Sequence, residues 1–115
     1  MDDKLLLRID SVINHITKVL NDTKGLTLED FENNDLLLRA TCFSVAQIGE
    51  IMNQLEKRLI VKYPELPWIS ARSMRNVIVH DYDGTDVAEV FVTIENDLPL
   101  LKAAFLKIKS DITNL

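Results

Sequence analysis

Residues 34–61, NDLLLRATCFSVAQIGEIMNQLEKRLIV, form one run with no proline and a single internal glycine. Asn34 or Asp35 is a suitable N-cap, and the apolar positions recur at helical spacing, so the run predicts one long helix to about Val61. Its main stripe is Thr41, Val45, Ile48, Met52, Leu55 and Leu59. A second set, Leu36, Ala40, Phe43 and Ile51, widens the apolar surface beyond what one neighbouring helix needs. Either two helices pack on it or a second subunit does. Gly49 sits mid-helix at a cost of about 1 kcal/mol relative to Ala, which close approach of another helix would explain. Glu50, beside it, reads by default as solvated and alternatively as a buried partner for an arginine.

Toward the N-terminus, Asp2 or Asp3 can cap an earlier helix carrying Leu5, Ile9, Val12, Ile16 and Val19 on one stripe. Asn21 to Gly25 ends it, with Gly25 as a left-handed stop. His15 lies off that stripe and reads as a solvated or locally bonded histidine. Residues 26–34 form a connector with a short helical turn around Leu28 to Phe31, and Phe31 plugs into the core.

Toward the C-terminus, Pro64 and Pro67 forbid a continuing helix, and Trp68 anchors the corner. Ser70 can cap a third helix that carries the stretch from Arg75 onward, with His80 at or near its end. Asp83-Gly84-Thr85 is turn chemistry. Asp86 and Glu89 have capping-box spacing for a fourth helix, whose stripe runs from Val87 to Ile112. The period crosses Asp97-Leu98-Pro99 without a phase slip, which predicts a kinked helix or two nearly collinear ones. Lys102, Lys107 and Lys109 complement the dipole of its last third. The expected architecture is all-α, an antiparallel bundle of four main helices in one domain, 1–115.

Composition agrees. The chain is 47% apolar with only three Gly and three Pro, too few for a many-stranded sheet with its turns. The net charge, 13 − 18 = −5, argues against a protein that binds nucleic acid through its overall charge, but leaves room for a local basic cleft. Cys42 is alone, so neither an internal disulfide nor a Cys-rich zinc site is available, and it reads as a small buried hydrophobe in a reducing cytoplasm. The N-terminus lacks signal-peptide features, and no stretch is apolar enough to span a membrane.

Chemistry concentrates in Arg75-Asn76-Val77-Ile78-Val79-His80-Asp81-Tyr82. In a continuing helix Arg72, Asn76 and His80 stand at i, i+4 and i+8 on one face, with Arg75, Val79 and Tyr82 on the adjacent one. The bland reading is solvent-facing charge. The sharper one is metal-free RNA chemistry. That chemistry needs a base for the ribose 2′-OH, an acid for the leaving 5′-oxygen and a fixed cation for the crowded phosphorane. Histidine serves either proton role, and arginine clamps phosphate in bidentate fashion. On an ideal helix Arg75 and His80 point about 140° apart, a poor constellation in one copy. Two copies across a two-fold axis would supply two of each around one groove, a physical reason to expect a homodimer. His80, Asp81 and Asp83 match no common metal-site spacing, so no metal is expected. No glycine-rich phosphate loop or G-x-S-x-G occurs, so no bound nucleotide cofactor is expected.

Arg75 to His80 matches the Arg-x(4–6)-His signature of the HEPN superfamily, and Arg-x4-His-x-Tyr ending at Tyr82 resembles its HepT-like toxins. Ile48-Gly49-Glu50, Pro64-Glu65-Leu66-Pro67-Trp68, Met74-Arg75-Asn76 and Asp97-Leu98-Pro99-Leu100 follow the same pattern in order, so the resemblance covers essentially the whole chain. It implies a four- to five-helix HEPN bundle that dimerises into a metal-independent endoribonuclease toxin. By that carry-over Arg75 clamps the scissile phosphate, His80 is general acid or base, and Asn76 orients one of them, with Arg72 in support. The resemblance also implies an MntA-like nucleotidyltransferase antitoxin that uses ATP to place AMP on Tyr82. That group would bring bulk and negative charge beside cations meant for RNA. The alternative is a non-catalytic helical subunit that binds such a nucleotidyltransferase.

Overall fold

The computed structural model describes residues 3–77 and 86–114. The described chain is helical, in the order α1 (Asp3–Thr23), α2 (Leu28–Glu32), α3 (Asp35–Leu59), α4 (Ser70–Arg75), α5 (Val87–Val92), a π-helical turn (Thr93–Asp97) and α6 (Leu98–Thr113). The all-α bundle expected from periodicity is therefore the one found. Asp3 is the first helical residue of α1 and not its cap; Asp2 and the Asp83-Gly84-Thr85 turn lie outside the described residues.

α1 buries Leu5, Ile9, Val12, Ile16 and Val19, the stripe its spacing predicts. Most of the stability of a helix in a protein comes from packing its apolar face, and burying each of these side chains stabilises by roughly 1.5–3 kcal/mol, so packing rather than propensity holds it. Gly25 takes φ 76°, the left-handed conformation that lets the chain leave α1 and turn back. α2 opens on a full capping box. Thr27 Oγ1 accepts from the Asp30 N–H, and Asp30 Oδ2 accepts from the Thr27 N–H. Phe31, fully buried, meets Phe91 of α5 with ring centroids 5.4 Å apart, which pins the connector over the core.

Asn34 caps α3 through its Oδ1, which accepts the Leu37 N–H at 3.0 Å. The main stripe, Thr41 to Leu59, is buried against α1 and α4, and α1 packs in turn on α6. The second set divides. Ile51 is buried, whereas Leu36 is 72% exposed, Phe43 62% exposed and Ala40 exposed. None of the described helices of the same chain covers those three.

At the Pro64–Pro67 corner, Trp68 is buried and its Nε1–H donates to the Tyr63 carbonyl at 2.9 Å. Ser70 does not cap α4. It is the first helical residue, and Ile69 stands at the cap position with no side-chain bond. The chain is already turning before Ser70, since Pro67 O accepts from the Ala71 N–H and Ile69 is in the α region. Asp86 caps α5 through Oδ1 and the Glu89 N–H, the forward half of the expected box.

The last two helices meet through the π turn. Pro99 has no N–H to give the Glu95 carbonyl, and the ladder widens there, with the Leu98 N–H reaching back five residues to Thr93 O. Ile94, Leu98, Leu101, Phe105 and Ile108 stay buried through the junction. Lys109 pairs with Asp10 of α1 at 2.7 Å and so also ties the C-terminal part of α6 to the body of α1.

Candidate functional site: the end of the fourth helix

α4 is six residues long and ends at Arg75. Asn76 follows with φ −92° and ψ 7°, its N–H shared between Arg72 O and Ser73 O. Val77 donates to Met74 O, so the last turn tightens instead of extending. The residues beyond explain the stop. Val77-Ile78-Val79 is a β-branched run, whose side chains lose χ1 freedom against a preceding helical turn. The single face predicted for Arg72, Asn76 and His80 is thus corrected. The helix ends before Asn76, and the 140° argument that assumed a helix through His80 goes with it. His80, Asp81 and Tyr82 lie outside the described residues.

What positions Arg75 is the approach of α4 to α3. A Cβ built on Gly49 would stand 2.5 Å from Arg75 N, 2.6 Å from Ala71 O and 2.8 Å from Met74 Cβ. No side chain fits there, which is the close approach that a mid-helix glycine predicts. Ala71 and Met74 bury their side chains beside it. Glu50, the next residue, then comes within reach of the arginine. Arg75 Nε donates to Glu50 Oε2 at 2.8 Å, and Gln54 Nε2 makes a longer 3.4 Å bond to Glu50 Oε1. The side chains of Arg75 and Glu50 are 40% and 42% exposed, so the arginine partner considered for Glu50 exists but is not buried. A pair this exposed contributes roughly 0–1 kcal/mol to stability. Arg72 is exposed on the same short helix.

Asn76 faces another way. It lines a cleft of about 500 Å³ with Ser70, Ser73, Val77 and Met74 on one side and Asp86, Glu89, Val90, Thr93 and Asp97 on the other. Arg75 is not among the described lining residues, and neither is any lysine or histidine. Two of the acids have a local reason to be there. Asp86 caps α5, and Glu89 lies in its first turn, where negative charge meets the positive end of the helix dipole. The structure therefore brings Arg75 and Glu50 together and sets Asn76 beside them on a different wall.

Other titratable groups sit apart from this end. Burial pushes the Cys42 thiol up to about 11. His15 is held below its ordinary value by burial and by Lys18, and its Nδ1 is buried without a hydrogen-bond partner, so that atom is neither solvated nor locally bonded. Among the described residues no three His, Cys, Asp or Glu side chains converge as metal ligands, and no helix is long and apolar enough to cross a membrane.

The chain is 31% identical over 101 residues to "Putative RNase MJ1216" of Methanocaldococcus jannaschii, covering 88% of this chain and 84% of that protein. It is 29% identical over 105 residues to "Probable ribonuclease HepT" of Thermococcus cleftensis, covering 88% and 92%. A "Putative RNase TTE0752" of Caldanaerobacter subterraneus is 28% identical over 94 residues, covering 82% and 84%. No solved structure gives a significant match. The family model described as "Ribonuclease HepT-like" matches residues 9–108, a span that holds every helix from α1 to α6 in whole or part, and with them Glu50, Arg75, His80 and Tyr82: the chain belongs to the HepT-like ribonuclease family of HEPN proteins.

Proposed function

We propose that this chain is a metal-independent endoribonuclease, the toxin of a toxin–antitoxin pair, acting as a cytoplasmic homodimer. The observation that carries the reading is a guanidinium held at an exposed helix end, five residues before a histidine, in a chain whose relatives are named as ribonucleases. Arg75 clamps the scissile phosphate in bidentate fashion. His80 works as acid or base, and Asn76 and Arg72 support them. The ribose 2′-oxygen attacks phosphorus as its proton passes to a base. The bond from phosphorus to the 5′-oxygen then breaks, and that oxygen takes a proton from an acid. The products are a 2′,3′-cyclic phosphate and a 5′-hydroxyl, and no metal-bound water is required.

The homodimer draws support from Leu36, Ala40 and Phe43, the part of α3 that none of the described helices of the same chain covers. Silencing follows from transfer of AMP to Tyr82 by a nucleotidyltransferase antitoxin, which uses ATP; the toxin itself carries no cofactor. The test is end-group analysis of RNA incubated with the purified chain in EDTA. Cyclic phosphate and 5′-hydroxyl termini support the reading; 3′-hydroxyl and 5′-phosphate termini, or cleavage only with added metal, contradict it.

A second reading, a non-catalytic subunit that binds a nucleotidyltransferase, is favoured by one feature. The cleft beside Asn76 carries Asp86, Glu89 and Asp97, which repel a polyanion. Complex formation without RNA cleavage would select it.

A further inference from the structure

We infer that Glu50 is the positioning residue for Arg75, holding the guanidinium by its Nε edge so that the two terminal nitrogens face the RNA phosphate. The inference rests on the nuclease reading for the identity of that anion and on geometry for everything else. A guanidinium has two edges that can donate a pair of parallel hydrogen bonds, one built on Nε and one on the two Nη atoms. Glu50 Oε2 accepts from Nε at 2.8 Å, so the contact engages the first edge and leaves the second as the natural phosphate fork.

Both ends of this contact are fixed by backbone packing. Gly49 lets the α4 main chain at Arg75 press on α3, where a Cβ would stand 2.5 Å from Arg75 N. Glu50 follows Gly49 directly, and its other oxygen is shared with Gln54 one helical turn along. Arg75 is also the last residue of its helix, so nothing after it on α4 restrains the side chain. The pair is too exposed to matter much for stability, with side chains 40% and 42% accessible. Its effect is on direction. An arginine that must be caught in one rotamer at each encounter loses the advantage of a prepared clamp, and misplacement by about 1 Å is enough to cost rate steeply. The opposite role is also physically definable: a carboxylate that competes with phosphate for the cation. The two roles predict opposite signs.

The experiment compares Glu50→Ala and Glu50→Gln with the wild type in metal-free RNA cleavage. Gln keeps an acceptor oxygen and drops the charge. Positioning predicts that Glu50→Ala lowers kcat by roughly tenfold or more while KM moves by less than about threefold, and that Glu50→Gln recovers most of the rate. Unchanged or faster cleavage by Glu50→Ala overturns the inference. The Arg75 Nε–H resonance of the free protein gives a readout independent of activity. It should be protected from exchange in the wild type and in Glu50→Gln, and lost in Glu50→Ala. Should the wild type cleave no RNA, the nuclease reading fails by itself. Glu50 is then judged by binding of a deoxyribo-oligonucleotide. Weakening by Glu50→Ala to the level of Arg75→Ala supports the assignment, and wild-type binding by Glu50→Ala defeats it.

Discussion

The α-carbon of Gly49 faces the backbone nitrogen of Arg75 so closely that a single added methyl carbon would lie 2.5 Å from it. The two nearest neighbours, Arg75 N and Ala71 O, are main-chain atoms, and the third, Met74 Cβ, is fixed to the backbone, so none can swing aside as a side-chain tip would. Gly49→Ala therefore gains about 1 kcal/mol of helix propensity and loses more through overpacking, typically 1–3 kcal/mol and at the upper end here. Urea denaturation should show net destabilisation of about 1–2 kcal/mol. A stabilised variant would mean that α4 does not press on α3 as described.

Leu36 and Phe43 are seven residues apart on α3, with Ala40 between them, and all three are exposed. If this face joins two copies, Leu36→Glu with Phe43→Glu should yield a monomer in sedimentation velocity, with helical content retained. Mutation of exposed positions leaves the monomer's core untouched, so loss of the fold would point to a different role for the face. A double variant that stays dimeric would move the interface elsewhere.

The helices were legible because periodicity reports burial directly. Every residue of the α1 stripe and of the main α3 stripe is buried, and the proline-bearing junction before α6 reads correctly because the apolar phase continues through it. What did not read was the end of α4. Arg72, Asn76 and His80 share a face only if the helix persists, and nothing in that spacing shows whether the β-branched run after Asn76 stays helical. Ser70 misled for a related reason: a residue with the chemistry of a cap serves as one only where the preceding backbone is extended, and here Ile69 is already helical. The Glu50–Arg75 contact spans 25 positions and was visible only as one of two options for a glutamate beside a glycine.

Tyr63 is buried at the corner after α3, and its hydroxyl donates to Asp111 Oδ2 at 2.8 Å, tying that corner to the end of α6. Burial first, then the bond to Asp111 and its charge, push the phenol up to about 12 from a usual 10. The folded-state value is the higher one, so the proton stabilises the fold in full below pH 10, and this contribution is lost as pH rises from about 10 through 12. Tyr63→Phe should cost about 0.5–1.5 kcal/mol at neutral pH and flatten the decline in stability over that alkaline window. Parallel declines for the two proteins would show that the phenol does not report the fold.

Tyr82 offers a covalent readout of regulation. If a nucleotidyltransferase antitoxin silences the chain as proposed, coexpression with it should add the mass of one AMP per chain, mapped by fragmentation to Tyr82, and should suppress RNA cleavage through the added bulk and negative charge. Suppression with an unmodified Tyr82 would assign silencing to binding alone.

The central claim is that an imidazole and a guanidinium cut RNA without a metal ion. Its most direct test is the cleavage rate in EDTA of wild type, His80→Ala and Arg75→Ala, each with its thermal melt recorded. The wild type should cleave, each variant should lose at least about a hundredfold in rate, and the melts should stay close to the wild type's. Undiminished cleavage by His80→Ala, or a wild type that cuts only when divalent cations are restored, would contradict it.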